Sequence, residues 1–311
     1  MKFRSPGFYG NLFYGIAIIL LLLTGCSSTA ALLFDSANEK YSNRDYNGAI
    51  RDLSAVIGIE PDNYNAYLKR GKSYGNIGNH KAAVEDYSIA IVLNPGFSQA
   101  YLNRGIEYLN LGIYNMAIID LDKTIELEPN SDLAYFSRGY AKSLIEKSEE
   151  AIIDYTKAIG LNPEYAHAYV NRGNIKSHLN DYKGAINDFS KAIEIDPYEI
   201  NAYISRAGDK ALTGDKKGAI EDFTTAIKLK PGYTDLFYRR GELEAELELY
   251  ADAVNDFAEV IKRDSTNSGS YYYRGICLIK LNKKEDGCKD LVKAGELGYI
   301  YSYEQIQKYC R

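Results

Sequence analysis

From residue 30 to about 301, small and bulky apolar residues return at helical spacing in a pattern that repeats every 34 residues. Tyr101, Gly105 and Tyr108 share one helix face, and Ala117, Leu121 and Thr124 share a face of the next helix. Turn signals separate the two, as Leu111-Gly112-Ile113-Tyr114 in one period and Asn180-Asp181-Tyr182 in another. Each period therefore predicts a pair of antiparallel helices. Pro61, Pro95, Pro129, Pro163, Pro197 and Pro231 set the register. With proline at the thirty-second place, the units start at residues 30, 64, 98, 132, 166, 200, 234 and 268, and Ser265 replaces proline in the seventh.

Other places carry the same residue type from unit to unit. The fourth holds Tyr67, Tyr101, Tyr135, Tyr169, Tyr203, Phe237 and Tyr271, and the eighth Gly71, Gly105, Gly139, Gly173, Gly241 and Gly275. The twentieth is alanine from Ala49 to Ala253, and the twenty-fourth is aromatic or leucine from Leu53 to Leu291. Small residues at the eighth and twentieth places let two helices approach, and the large residues fill the space beside them. Three units depart: Leu33 stands at the first fourth place, unit six reads Arg206-Ala207-Gly208, and unit eight has Gly287 in place of alanine.

This pattern resembles the tetratricopeptide repeat over residues 30–301. The resemblance implies an all-α, right-handed superhelical solenoid of eight helix-turn-helix repeats. One hairpin cannot bury its apolar face alone, so stacking supplies the core. Tyr299, Tyr303, Ile306 and Tyr309 in the segment 298–311 predict a C-terminal capping helix over the last repeat. The resemblance also implies a concave groove lined by places two, five, nine and twelve of each first helix. Leu102, Ile106, Phe136, Tyr140, Tyr238, Tyr272 and Ile276 make it apolar and aromatic, and they are the expected partner-binding residues. Family members that bind chaperones clamp a carboxylate with lysine at the fifth place; this chain has none there, which argues against that function.

The first 25 residues form a separate unit. Lys2 and Arg4 precede an apolar run, Leu12 to Leu23, too short to span a bilayer. The run ends in Leu23-Thr24-Gly25-Cys26, which resembles the lipobox of bacterial lipoproteins. That resemblance implies cleavage of a signal peptide (1–25), lipid on Cys26 (a diacylglycerol thioether, with an acyl chain such as palmitate on the amine) and a short linker, 26–29. Two or more acyl chains give stable membrane anchoring. Ser27 favours the outer membrane in an enteric type of bacterium.

The net charge of −5 falls to −7 once Lys2 and Arg4 are removed, and an acidic, mixed-sign surface argues against nucleic acid. Composition is that of a globular protein, with 29 tyrosines and no tryptophan. Asp stands at the twenty-third place of all eight units, Asp52, Asp86, Asp120, Asp154, Asp188, Asp222, Asp256 and Asp290. Arg stands at the seventh place of seven, Arg70, Arg104, Arg138, Arg172, Arg206, Arg240 and Arg274, with Ser36 in the first. An active site does not repeat along a solenoid, so these form a structural ion-pair ladder. Because the first unit lacks Arg, counting predicts pairs between units, each Arg with the preceding Asp (Asp120 with Arg138), leaving Asp290 for Lys308.

His80, His167 and His178 offer no metal set, and no phosphate loop or nucleophile elbow is present. No metal, cofactor or catalytic role is expected. With Cys26 committed to lipid, an exported chain has three thiols left. Matching heights on a helical hairpin favour a Cys288–Cys310 disulfide with Cys277 in the core, and Cys277–Cys288 is the competing pair. The composite expectation is a membrane-anchored scaffold binding a protein or extended peptide on its concave face, with a glycan or cell-wall fragment as the alternative ligand.

Overall fold

Helix boundaries follow the 34-residue register. The computed structural model describes residues 28–311 and divides into two compact units, one ending at Leu161 and one running from Asn162 to Arg311. In the first, α1 (28–42) pairs with α2 (Tyr46–Ile59), α3 (Tyr64–Asn76) with α4 (His80–Leu93), α5 (Ser98–Asn110) with α6 (Tyr114–Leu127), and α7 (Asp132–Leu144) with α8 (Ser148–Leu161). The second contains α9 (Ala166–His178), α10 (Tyr182–Ile195), α11 (Ile200–Leu212), α12 (Lys216–Leu229), α13 (Thr234–Glu246) and α14 (Tyr250–Arg263). It ends with α15 (Ser268–Lys280), α16 (Lys284–Glu296) and α17 (Ser302–Tyr309). The described residues hold helices and turns and no strand. Residues 1–27, with the signal peptide and the Cys26 lipidation site, lie outside the described set.

Helix starts are chemically marked. The side chains of Asp45, Asn63, Asn79, Ser131, Asp181, Asp215 and Asn267 each accept a hydrogen bond from a backbone N–H of the first turn. These caps satisfy donors that a helix leaves free. The turn inside each hairpin needs one left-handed residue at the fifteenth place. Gly78, Gly112 and Gly214 supply it without strain, whereas Arg44, Glu146, Asn180, Glu248 and Asn282 adopt φ between 61° and 64°.

Close approach inside each hairpin explains the eighth-place glycines. A Cβ on Gly71 would meet the Tyr87 ring at 2.6 Å, and one on Gly173 the Phe189 ring at 2.7 Å. Unit six works differently: Ala207 is fully buried beside Phe223, and Gly208 has open space around its would-be Cβ. In unit eight, Gly275 and Gly287 face each other, each placing its carbonyl oxygen within 2.8 Å of the other's would-be Cβ. There the missing alanine lets the two backbones meet. Gly208→Ala is therefore expected to stabilise the protein by about 0.5–1 kcal/mol, through helix propensity. Gly173→Ala should cost about 1–3 kcal/mol by overpacking. Urea unfolding of the two variants should move the midpoint in opposite directions.

The ladder lies within units, which corrects the expectation of pairing between them. Arg104 donates from Nε and Nη2 to Asp120 at 2.7 and 2.8 Å, and Arg138 serves Asp154 the same way at 2.9 and 2.5 Å. Arg70–Asp86, Arg172–Asp188, Arg206–Asp222, Arg240–Asp256 and Arg274–Asp290 repeat this fork. Asp290 thus belongs to Arg274, not to Lys308. Asp52 in the first unit takes Lys40 at 2.6 Å and Ser36 at 2.7 Å; burial opposes its ionisation, but these two hydrogen bonds hold its pKa below the ordinary carboxylate value. The third guanidinium nitrogen does cross between units, to the twenty-fifth place of the preceding one: Arg70 to Ser54, Arg104 to Ser88, Arg138 to Asp122, Arg206 to Ser190 and Arg240 to Thr224. Each of these arginines joins two hairpins.

Candidate protein-interaction site

Place five proves to be a packing position. Leu102 lies half-buried against the cluster of Ala117 and Leu121, and the Phe136 ring centre is 5.7 Å from that of Tyr155. Each covers the second helix of its own hairpin. Place nine carries the accessible surface: Tyr140 is 42% exposed, and Ile106 is half-buried. The four residues expected to form one binding patch in the first compact unit therefore split into two that cover their second helices and two at place nine, of which Tyr140 is exposed and Ile106 half-buried.

Sequence reasoning passed over a more enclosed site on the same face. Asn38, Lys69, Lys72, Asn65 and Gln99, from α1, α3 and α5, surround a pocket of about 250 Å³ floored by Leu53 and Leu68. Among the described residues neither Lys69 nor Lys72 has a carboxylate partner. Burial, and then the like charge of Lys69, lowers the Lys72 pKa. Asn38 Oδ1 is buried with no hydrogen-bond partner. Two cations without a counter-ion and an idle amide oxygen suit an anionic group flanked by a donor. The signal in the sequence is the polar set at places two, six and nine of units one to three.

In the second compact unit, Tyr238 meets Phe257 at 5.7 Å and Tyr273 at 6.0 Å, edge to face, while Tyr273 stacks on Phe257. Tyr272 packs at a tilt against Tyr299 of the turn before α17, with ring centres 4.7 Å apart. Tyr238 and Tyr299 line a cleft of about 700 Å³ whose other walls include Asp235, Arg263, Asp264 and Asn267. Glu242 is pushed up by burial, against the hydroxyls of Tyr238 and Tyr273, which favour its charged form. Ile276 is half-buried on the same helix as Tyr272.

The histidines are dispersed: His80 Nδ1 lies 2.6 Å from Glu107, His167 Nδ1 is 3.4 Å from Glu199, and His178 is exposed. Cys288 and Cys310 form a disulfide, and Cys277 is a free, buried thiol pushed up by burial to about 11.

Stacked hairpins with pockets on their first-helix faces define a helical-repeat protein of the kind that binds through a surface. Profiles of the tetratricopeptide repeat match residues 34–96, 98–131, 133–165, 166–199 and 213–268, and the chain belongs to that family. No curated protein matches it in sequence. Among solved structures, it is similar to the C-terminal part of a TPR repeat-containing protein from Cytophaga hutchinsonii, at 19% identity and TM-score 0.65 over 76% of this chain and 97% of that one. MamA is similar at 28% identity and TM-score 0.50 over 52% of this chain and 94% of that one. YrrB, described as a TPR protein with an unusual peptide-binding site, shares the fold at 18% identity and TM-score 0.52, over 60% and 97% of the two chains.

Proposed function

We propose that this protein is a binding scaffold that holds an extended peptide segment of a partner protein, with no catalysis, on the first-helix faces of its hairpins. The observation that carries this reading is the pocket of Lys69, Lys72 and Asn38, built from three successive first helices and supplied with uncompensated positive charge. It suits a carboxylate of the peptide, and Ile106 and Tyr140 on later hairpins suit its apolar side chains. The peptide-binding site described for YrrB is consistent with such a use of the fold. We further propose that Cys26 carries lipid, which would tether the scaffold to a membrane of the bacterial envelope, the outer one in a Gram-negative cell. No described helix is long and apolar enough to cross a membrane.

Peptide arrays read by fluorescence anisotropy test the reading. Acidic peptides with neighbouring apolar residues are expected to bind, and Lys72→Glu to weaken them tenfold or more, about 1.4 kcal/mol. Tyr140→Ser should reduce affinity without unfolding the chain, whereas Phe136→Ser would disturb the packing on Tyr155. Affinity indifferent to Lys72→Glu and Tyr140→Ser would remove this face from consideration. The tyrosine-lined polar cleft of the second unit supports a glycan as the second reading, and binding of cell-wall fragments in place of peptides would select it.

A further inference from the structure

The last helix, α17, is pinned at its two ends. At its start Ser302 is buried, its Oγ 3.0 Å from where a Cβ on Gly295 would stand, and the Tyr303 hydroxyl donates to the Gly295 carbonyl at 3.4 Å. At its far end Cys310 is bonded to Cys288, near the start of α16 and 22 residues earlier in the chain. Between the pins the two helices stand apart. An open groove of about 960 Å³ runs there, with Ile306, Val292, Cys288 and Cys310 in its lining. Ser302 is the one buried residue of α17, and eight residues of helix are marginal in water without packing. The far end of α17 is therefore held in place chiefly by the bridge.

What α17 covers gives that bridge a consequence. In earlier units the twenty-seventh place packs with the third place of the following first helix, as Val56 with Ala66, Ala90 with Ala100 and Ala192 with Ala202. Ala294 holds that place in unit eight and is fully buried, and the helix that packs on α16 beyond it is α17. The hairpin of α15 and α16 has ties of its own. Arg274 pairs with Asp290, and Gly275 meets Gly287 backbone to backbone, neither contact involving α17. Both bridged cysteines are also within reach of solvent. Cys288 and Cys310 are half-buried at the groove, whereas Cys277 is 1% exposed.

We propose that the Cys288–Cys310 bridge is a redox latch, opened by an external dithiol, whose opening frees α17 from α16 while the hairpins stay folded. A thiolate of the dithiol attacks one bridge sulfur, the S–S bond breaks, and the other cysteine leaves as a thiolate that takes up a proton. The second thiol of the reagent then resolves the mixed disulfide. Two electrons pass to the bridge, and the dithiol becomes a disulfide. Oxidised, the array has a closed end; reduced, it presents the α16 surface on which hairpins stack elsewhere. The latch does not depend on the Lys69–Lys72 pocket or on any ligand there.

Dithiothreitol added to the folded full chain without denaturant is expected to open the bridge, so that iodoacetamide then labels Cys288 and Cys310 but not Cys277. Hydrogen exchange of the amides from Tyr303 to Cys310 should rise at least about tenfold on reduction, while α15 and α16 keep their protection. The double variant Cys288→Ser, Cys310→Ser should show the same exchange with no reductant present. Unchanged exchange in α17 after reduction overturns the proposal, because packing alone then holds the helix. So does reduction that requires denaturant. Loss of protection through α15 and α16 also overturns it, by making the bridge a staple of the whole hairpin.

Discussion

Replacing Asp154 by alanine is expected to cost about 3–5 kcal/mol. The carboxylate side chain is 2% exposed and accepts from both Arg138 and Lys142, the latter at 2.9 Å, so its removal leaves two largely buried cations with only the half-exposed Asp122 and Glu150 as counter-charges. Its pairing with Arg138 is bidentate; burial works against the Arg138 charge, but the hydrogen bonds to Asp154 and to Asp122 of the preceding unit hold its pKa above the ordinary value. Asp188 and Asp222, each serving an arginine and a lysine, should behave alike. Asp52→Ala should cost about 1 kcal/mol or less, because its Lys40 partner is 36% exposed. Urea unfolding of Asp154→Ala beside Asp52→Ala checks the contrast, and equal losses would contradict it. An apolar triple replacement of Asp154, Arg138 and Lys142 should recover most of the loss, because desolvation of all three charges is then avoided.

The second large effect concerns the one place in this ladder where the extra lysine is inverted. Units four to six carry Lys142, Lys176 and Lys210 at the eleventh place, each on the ladder Asp, but unit seven carries Glu244. Glu244 is 6% exposed, its Oε2 has no hydrogen-bond partner, and its nearest cation contact is Arg240 at 3.7 Å. Burial, then the charge of Asp256, pushes its pKa up to about 7, with Arg240 opposing and Asp252 adding to the rise.

An acid raised in the folded state binds its proton more tightly there than in the unfolded chain. Its contribution to stability is therefore greatest below the ordinary value of 4.5 and is lost as pH rises through about 7. The loss by pH 8 is on the order of 2–4 kcal/mol. Glu244→Lys restores the arrangement of Lys210 with Asp222. It is expected to be more stable than the parent at pH 8 by a similar amount, and the difference should narrow toward pH 5. Thermal unfolding at the two pH values decides it, and a parent protein equally stable at both would refute the assignment to Glu244.

Counting could not have fixed the register of the ladder. Seven arginines match Asp52 to Asp256 and Asp86 to Asp290 equally well, and only the reach of a guanidinium across its own hairpin chooses the second. The first unit then balances Asp52 with Lys40, four residues beyond the missing arginine, a substitute visible in the sequence only once the geometry is known. Place five illustrates the same limit. Its side chains are apolar whether they line a groove or cover the neighbouring helix, and periodicity alone assigns them to neither.

What the sequence determined by itself was the all-α hairpin repeat and its family. A 34-residue period, small residues where helices must touch and bulky ones beside them leave one local solution, and the αL and capping positions agree with it. Those are short-range requirements, written in the residues that satisfy them. Only the tertiary structure decided which charges meet and which apolar faces stay open. It also decided where an enclosed cationic pocket forms, because Asn38, Lys72 and Gln99 come from three different helices and share a site only through packing.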